Sequence, residues 1–343
     1  MRSRLFARTV VAASIGVMGA TVLVSPVSAG NRDSGGEGSV DDGNIHAKAT
    51  IVVNGDVKGG GGSVRASAPA ICWWEKAPVD TGDGIKSLAF ILDFFGINLD
   101  QNALDEMEKD EKAGKTFEWY TRKTREGASK EQLEAAGCND FSGPYKGLFI
   151  GSVYRPFEPG NPPEPLPDPE EMADVALENI DLQEPALTWN PKVDALGGGT
   201  LVNLPTWFWV TNPGPAVGNG DGERSVTATA AAGGQQVSVT VTAKADKLQI
   251  ASPGGATTCS VDQARTAYAK GTPESSACTL AFERSSTRYD SGFPVQATVA
   301  WTASWTGTGP GVPAGEQQLD GVVMSSTTNV PVRESQAIVK GSS

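Results

Sequence analysis

The side chains that most often perform covalent catalysis or hold metals are scarce in this sequence. The chain of 343 residues contains one histidine, His46, and four cysteines. A serine or cysteine nucleophile needs a neighbouring base, which is most often a histidine. His46 lies in a Gly-rich stretch far from any cysteine, and no CxxC pair of the kind that binds zinc is present. We therefore expect no His-dependent hydrolase, no metal and no cofactor.

Carboxylate chemistry is the catalytic alternative that the composition leaves open. A glycoside hydrolase needs only two acids at a suitable separation, and the chain has 40 aspartates and glutamates. The dense acidic stretch at residues 105–111 is more typical of a solvated helix face. Residues 219–223 (Asn-Gly-Asp-Gly-Glu) offer oxygen ligands for Ca²⁺ but lack the full twelve-residue loop. This segment is predicted to be an ordinary hairpin turn.

Tryptophan is the residue type that most favours a binding function. Trp207 and Trp209 are two positions apart, and Trp301 and Trp305 are four apart. In a strand, residues at these spacings lie on the same face. An exposed pair could stack on sugar rings, whereas a buried pair would fill a core beside a disulfide. Sequence does not separate these alternatives, so the possible binding residues are Trp207, Trp209, Trp301 and Trp305.

The first 29 residues have the three parts of a secretory signal peptide. Three arginines precede an apolar stretch, and small residues end it at Ala29. The stretch is short for a membrane span and is broken by Ser25 and Pro26. Cleavage after Ala29 changes the net charge from −12 to −15. We expect a secreted, extracellular protein without a membrane span, and its acidity disfavours nucleic-acid partners.

The four cysteines are expected to form disulfides, because an even number in a secreted chain is typical of them. Three pairings are possible. Separation along the chain favours Cys72–Cys138 and Cys259–Cys278, one in each half of the protein. Closing the shorter loop, of roughly 20 residues, would stabilise the fold by about 3 kcal/mol.

The chain divides by composition into five segments. The signal peptide (1–29) is followed by a Gly/Ser-rich flexible segment (30–68), in which residues 49–53 form one short β-like run. A small disulfide-bonded helical region (69–155) comes next. Its predicted helices are residues 84–95, a segment from about 101 to 114, and one that Ser129 and Gln132 cap. A Pro-rich connector and helix (156–200) follows, with Asp168 as N-cap and Pro169 in the first turn.

Residues 201–341 are predicted to form an Ig-like β-sandwich. Apolar residues alternate with Thr and Ser at 226–230 and 237–241, and again with strict period two at 295–305. About seven short strands separated by Gly/Pro turns are typical of this fold. The fold class is therefore mainly β, with a small α-rich N-terminal region and a C-terminal sandwich.

Four features together resemble uncharacterised secreted proteins of high-GC Gram-positive bacteria. They are Cys72-Trp73-Trp74, the helix after Asp168-Pro169, residues 201–210 (Leu-Val-Asn-Leu-Pro-Thr-Trp-Phe-Trp-Val) and the ending at 333–339. The resemblance implies a PKD-like sandwich in the last third. Residues 248–259 occupy the place of the Trp-x-Phe-Gly-Asp-Gly strand and turn of PKD domains. Ile250 replaces the aromatic residue there, and residues 253–255 (Pro-Gly-Gly) replace the turn.

The function that these observations favour is non-enzymatic. We expect a secreted cell-envelope or extracellular protein used for adhesion, assembly or binding, with the cell wall as the candidate place of association. Its partner would be a cell-wall glycan or another surface protein. The alternatives are a carboxylate-based glycoside hydrolase and a carbohydrate-binding protein.

Overall fold

The computed structural model describes residues 39–41, 44–46, 48–60, 62–77, 101–136, 138, 154–162, 165–232 and 235–334, and these residues are mainly β. The strands are β1 Ser39–Asp41, β2 Asn44–His46, β3 Lys48–Gly55, β4 Ser63–Pro69, β5 Cys72–Lys76, β6 Glu118–Thr124, β7 Tyr154–Phe157, β8 Leu187–Asn190, β9 Thr200–Leu201, β10 Pro205–Val210, β11 Glu223–Ala232, β12 Gln235–Ser252, β13 Gly255–Ser260, β14 Cys278–Ala281, β15 Phe293–Thr308, β16 Gln317–Val330 and β17 Val332–Arg333. The helices are α1 Gln101–Lys112, α2 Lys130–Ala135, α3 Pro169–Asn179, α4 Pro213–Val217 and α5 Val261–Arg265, with 3₁₀ turns at Asp194–Leu196 and Glu274–Ser276.

A curled antiparallel sheet, called here the main sheet, dominates the fold. Its strand order is β16-β15-β12-β11-β3-β4, and β13 pairs with the second half of β12. Buried and exposed residues alternate along β15, as the period of two predicts. The main sheet therefore has an inner apolar face and an outer polar face.

A bulge in β12 keeps its apolar residues on the inner face. The buried residues from Val237 to Ala245 occupy every second position, but Leu248 is the next buried one. Asp246 and Lys247 fall between them, where the pairing with β15 changes register. One additional residue restores the alternation, which lets one strand run for 18 residues along the core.

Helix α3 and a small sheet cover the inner face. Asp168 caps α3 by accepting a hydrogen bond from the backbone of Glu170, and Pro169 occupies the first turn, so this predicted helix start is confirmed. Met172 and Ala176 of α3 are fully buried against the main sheet. The small sheet, in the order β14-β10-β8, adds further apolar side chains to the same core, including Leu187, Phe208, Val210 and Leu280.

The prediction of a flexible segment at 30–68 is wrong for the second half of this range, which forms strands. Strands β3 and β4 form a hairpin on the main sheet, and β3 pairs with β11. Ile51 and Val53 are fully buried. The partner strand lies far away in sequence, since Thr229 Oγ1 donates to the carbonyl of Val52, 177 positions earlier. A local pattern cannot reveal such a partner, which is why only the run at 49–53 was recognised as β.

An arginine fastens this hairpin to the rest of the molecule. Arg224 of β11 forms ion pairs with Asp56, 3.3 Å away, and with Asp181, 3.6 Å away. Asp56 also accepts hydrogen bonds from the backbone of Ser225 and from the Asn219 side chain. Because the Arg224 side chain is only 11% exposed, these contacts are better shielded from water than surface ion pairs.

The region predicted to be helical, 69–155, is mixed where the structure describes it. It contains a three-stranded sheet in the order β5-β6-β7 beside α1 and α2. Aromatic residues at Trp73, Trp74 and Tyr120 favour these strands. Helix α1 and the capping box of Ser129 and Gln132 are confirmed. The predicted helix at 84–95 lies outside the described residues.

Both disulfides have the predicted pairing. Cys72–Cys138 joins β5 to the end of α2, and Cys259–Cys278 joins β13 to β14. The second bond therefore ties the main sheet to the small sheet. Over the described residues, no helix is both long and apolar enough to cross a membrane.

Candidate functional site

The two tryptophan pairs lie in different environments. Trp301 and Trp305 occupy the inner face of β15 and are 2% and 3% exposed. Both belong to the main core cluster. Neither ring face is available to a ligand, so the binding role considered for this pair is replaced by a core role.

Strand β10 separates its side chains as the sequence predicts. Phe208 and Val210 point into the core. Trp207 and Trp209 lie on the opposite face, where their neighbours across the pairing with β8 are Asn190 and Thr188. Trp209 is partly exposed, whereas Trp207 is 7% exposed. This pair is therefore unequal, and Trp209 is the member available for contact.

Tyr268 covers Trp207 and extends the aromatic surface. The two rings meet edge to face with their centroids 5.4 Å apart. Trp207 Nε1 donates a hydrogen bond of 3.1 Å to the carbonyl of Thr266, which satisfies its one polar atom. Tyr268 itself remains 45% exposed. We call Trp207, Trp209 and Tyr268 the aromatic face.

Local features hold the segment that carries Tyr268. The Cys259–Cys278 bond closes the chain around it. Ser260 and Gln263 form a capping box that starts helix α5 immediately before the segment. These contacts reduce the conformational freedom of Tyr268 before any ligand arrives, and less ordering entropy is then lost on binding.

Polar groups border the aromatic face along β8. Lys192 Nζ donates a hydrogen bond of 3.1 Å to Thr188 Oγ1 and also lies 4.2 Å from the centre of the Trp189 ring. Asn190 is the cross-strand neighbour of Trp207. The exposed Tyr268 ring and the partly exposed Trp209 ring, together with these hydroxyl and amide groups, provide both stacking and hydrogen bonding, which is the chemistry that a sugar ring requires.

Sequence reasoning predicted that Trp207 and Trp209 share one strand face, as they do in β10, but it did not single out Tyr268. Tyr268 lies in a segment without periodicity, so hydrophobic patterning gives no signal for it. The available signal was the predicted Cys259–Cys278 bond, which brackets the segment. That bond indicates a constrained loop, but not which strand the loop covers.

The segment at 219–223 forms a tight turn. The Asn219 and Gly222 backbones are joined by a 2.9 Å hydrogen bond, and Asp221 accepts one from the backbone of Glu223. Gly218, just before the turn, has a φ of 83° that favours glycine. Where side chains are described, no group of three or more His, Cys, Asp or Glu residues could hold a metal ion.

Among the described residues, Asp174 is a carboxyl group with a raised pKa, and it does not line the hollows beside β12 and β15. Partial burial raises the pKa of Asp174, and the negative charges of Glu171 and Glu170 add to the effect. Asp174 belongs to the exposed side of helix α3. This placement gives no support to the glycoside hydrolase alternative.

No protein-family model, no curated protein and no solved structure matches the chain.

Proposed function

We propose that the protein is a secreted, non-enzymatic binding module of the cell envelope that holds glycan through its aromatic face. The proposal is carried by two accessible aromatic residues: the partly exposed Trp209, and the 45% exposed Tyr268, which packs on Trp207 two positions away on the same face of β10. Aromatic side chains of this kind often dominate the free energy of binding, because they bury much surface with little loss of rotamer freedom.

The position of the aromatic face favours binding over a structural role. Phe208 and Val210, on the opposite side of β10, already supply the contacts that hold the small sheet to the core. Trp209 is on the face turned away from these contacts and is partly exposed, so part of its surface is accessible to a ligand.

An extracellular location is part of the proposal. Two disulfides support it, because such bonds persist in oxidising compartments. The signal-peptide features of residues 1–29 point the same way. Expression in a Gram-positive host, followed by N-terminal sequencing of protein from the medium, should give Gly30 as the first residue. Retention inside the cells would contradict it.

The relationship to Ig-like and PKD-like sandwiches, and to the secreted proteins that carry them, is likewise a proposal. It is supported by two antiparallel sheets that share one core and by strict alternation along β15. The N-terminal hairpin of β3 and β4 adds strands that residues 201–341 do not contain.

Co-sedimentation of residues 30–343 with isolated cell walls tests the binding function. We expect Trp209→Ala and Tyr268→Ala each to weaken binding about tenfold, the effect of roughly 1.4 kcal/mol. Tyr289→Ala is the matched control, because Tyr289 is also an exposed aromatic residue (38%) but packs on Phe293 instead. Free oligosaccharides released from the same walls should compete.

Two results would overturn the proposal. One is that the folded protein stays in the supernatant with walls in excess. The other is that Tyr289→Ala weakens binding as much as Trp209→Ala does, since the aromatic face would then have no special part in the interaction.

A further inference from the structure

The outer face of the main sheet carries rows of hydroxyl groups in register. One row consists of Thr227, Thr240 and Thr306, on three adjacent strands. The next consists of Ser225, Thr242 and Ser304. Thr227 and Thr240 are hydrogen-bonded to each other at 3.0 Å. This surface faces away from the core and from the aromatic residues buried in it.

Two adjoining hollows lie on this surface, with volumes of about 480 and 430 Å³. They share Lys244 and Thr302 as lining residues, and we call them together the outer groove. Its hydroxyl floor is formed by Thr240, Thr242, Thr302, Ser304 and Thr306. The combined space is sufficient for several residues of an extended chain.

The outer groove is acidic. Five carboxylates line it, together with Lys244: Asp221, Glu223, Asp246, Asp262 and Glu316. Glu223 is paired with Lys244 at 2.7 Å, and Asp246 is paired with Lys247 at 3.3 Å. Among the described residues, the other three carboxylates form no ion pair. The groove therefore retains negative charge that a cationic ligand would complement.

The floor has neither an exposed aromatic ring nor free backbone groups. Trp305 borders the groove but is 3% exposed. Strands β12 and β15 each pair with neighbours on both sides, so a ligand cannot add to the sheet as another strand. Recognition must come from hydroxyl and carboxylate side chains, which bind hydrogen-bonding groups and positive charges.

We propose that the outer groove binds an extended, lysine- or arginine-containing segment of a partner protein. The backbone of such a segment would hydrogen-bond to the hydroxyl floor, and its cationic side chains would pair with the acids at the two ends. A neutral glycan suits this groove poorly, because no ring is exposed for stacking. This inference is independent of the aromatic face and of its glycan-binding role.

The strand geometry sets the spacing of the cations. Glu316 precedes Gln317, which pairs with Trp305, and Asp246 follows Ala245, which pairs with Trp301. Because both pairings are antiparallel, Glu316 is level with Thr306 and Asp246 is level with Ala300. Six residues of strand therefore separate these two ends, about 20 Å at ~3.3 Å per residue. Residues i and i+6 of an extended segment match this separation and lie on one face of it.

Fluorescence anisotropy of a labelled peptide tests the proposal. The probe is a twelve-residue Ser/Gly peptide with two lysines six positions apart, and the same peptide with glutamine in place of lysine is its control. We expect the lysine peptide to bind residues 30–343 at low salt and the glutamine peptide to bind at least tenfold more weakly. Salt should weaken the binding of the lysine peptide, because the charged groups are exposed.

Matched variants distinguish peptide binding in the outer groove from non-specific attraction of the peptide to an acidic protein. Glu316→Gln combined with Asp262→Asn removes two groove charges, and we expect binding about tenfold weaker from two exposed ion pairs. Glu178→Gln combined with Glu274→Gln removes two charges that do not line the groove, and binding should change by less than about twofold. Equal losses in the two double variants would overturn the proposal.

Two further results would also overturn it. The lysine peptide could fail to bind at low salt although the protein is folded. Alternatively, a chitosan oligosaccharide could bind with groove-dependent affinity while the lysine peptide does not, which would identify an amine-bearing glycan as the occupant instead. Weaker peptide binding after Thr242→Val, with stability retained, would additionally assign a part to the hydroxyl floor.

Discussion

The two tryptophan pairs share a sequence pattern but lie in different places. Trp301 and Trp305 belong to a strand inside the main sheet, and its inner face is covered by α3 and the small sheet. Trp207 and Trp209 belong to the small sheet itself, on the face turned away from the core. A period of two tells which side chains share a face. The period does not tell which of the two faces another layer covers. That covering layer decides whether a tryptophan lies in the core or at the surface.

The largest loss of stability is predicted for a substitution in the buried pair, Trp301 and Trp305. Trp301→Ala should lower the free energy of unfolding by about 3–5 kcal/mol, because it leaves a large cavity in the core. Trp301→Phe should cost less, since a ring still fills part of the space and the indole N–H, which has no hydrogen-bond partner among the described residues, is removed. Urea unfolding measures both. A loss below ~1 kcal/mol for Trp301→Ala would contradict the core assignment.

Breaking the bond between the two sheets should have the next largest effect. Cys259→Ser with Cys278→Ser should lower the free energy of unfolding by about 3 kcal/mol, because the unfolded chain loses a constraint. The same change frees the segment that holds Tyr268, so glycan binding should weaken as well. Calorimetry and wall co-sedimentation measure the two effects. Intact glycan binding at a temperature where the variant is folded would show that Tyr268 does not need the bond.

A smaller effect is expected from the cap of α5. Ser260→Ala removes the side chain that accepts a hydrogen bond from Gln263, and losing such a cap costs about 1 kcal/mol. Ser260→Asp should restore it, because aspartate is also a good N-cap. Thermal unfolding of both variants provides the comparison. Equal melting temperatures for the alanine and aspartate variants would exclude a capping contribution.

The smallest change in stability is expected for the partly exposed pair. Trp209→Ala should lower the free energy of unfolding by less than about 1 kcal/mol, as is usual for a substitution away from the core. Its effect on binding should be much larger. Urea unfolding measures the loss of stability of this variant, and co-sedimentation with cell walls measures its loss of binding. A loss of stability similar to that of Trp301→Ala would remove the distinction between the pairs.

Local signals predicted those parts of the structure that depend on nearby residues. Asp168 with Pro169 marked the start of α3, and Ser129 with Gln132 marked α2. The period of two in β15 was visible because apolar residues occupy every second position over residues 295–305. The disulfide pairing followed from separation along the chain.

Features that depend on distant partners were not predictable in this way. Strand β3 reaches the core by pairing with β11, which lies far away in sequence. The sheet formed by β5, β6 and β7 joins segments separated by dozens of residues, so no window of sequence contains it. The position of Tyr268 over Trp207 likewise depends on how a loop returns to β10. Each of these is set by the tertiary structure, not by local propensity.

The pairing of β3 with β11 also has a consequence for how quickly the protein folds. Its first long strand cannot find its place until residues more than 170 positions later have been synthesised, since Val52 meets Thr229 across that separation. Contacts so distant in sequence make folding slow, because the entropy of closing a long loop is lost before the contact is gained. Until β11 is available, the apolar side chains of Ile51 and Val53, which are buried in the folded protein, are accessible to other chains. The main sheet can therefore be completed only after most of the chain has been made. Aggregation competes most strongly with folding before that point.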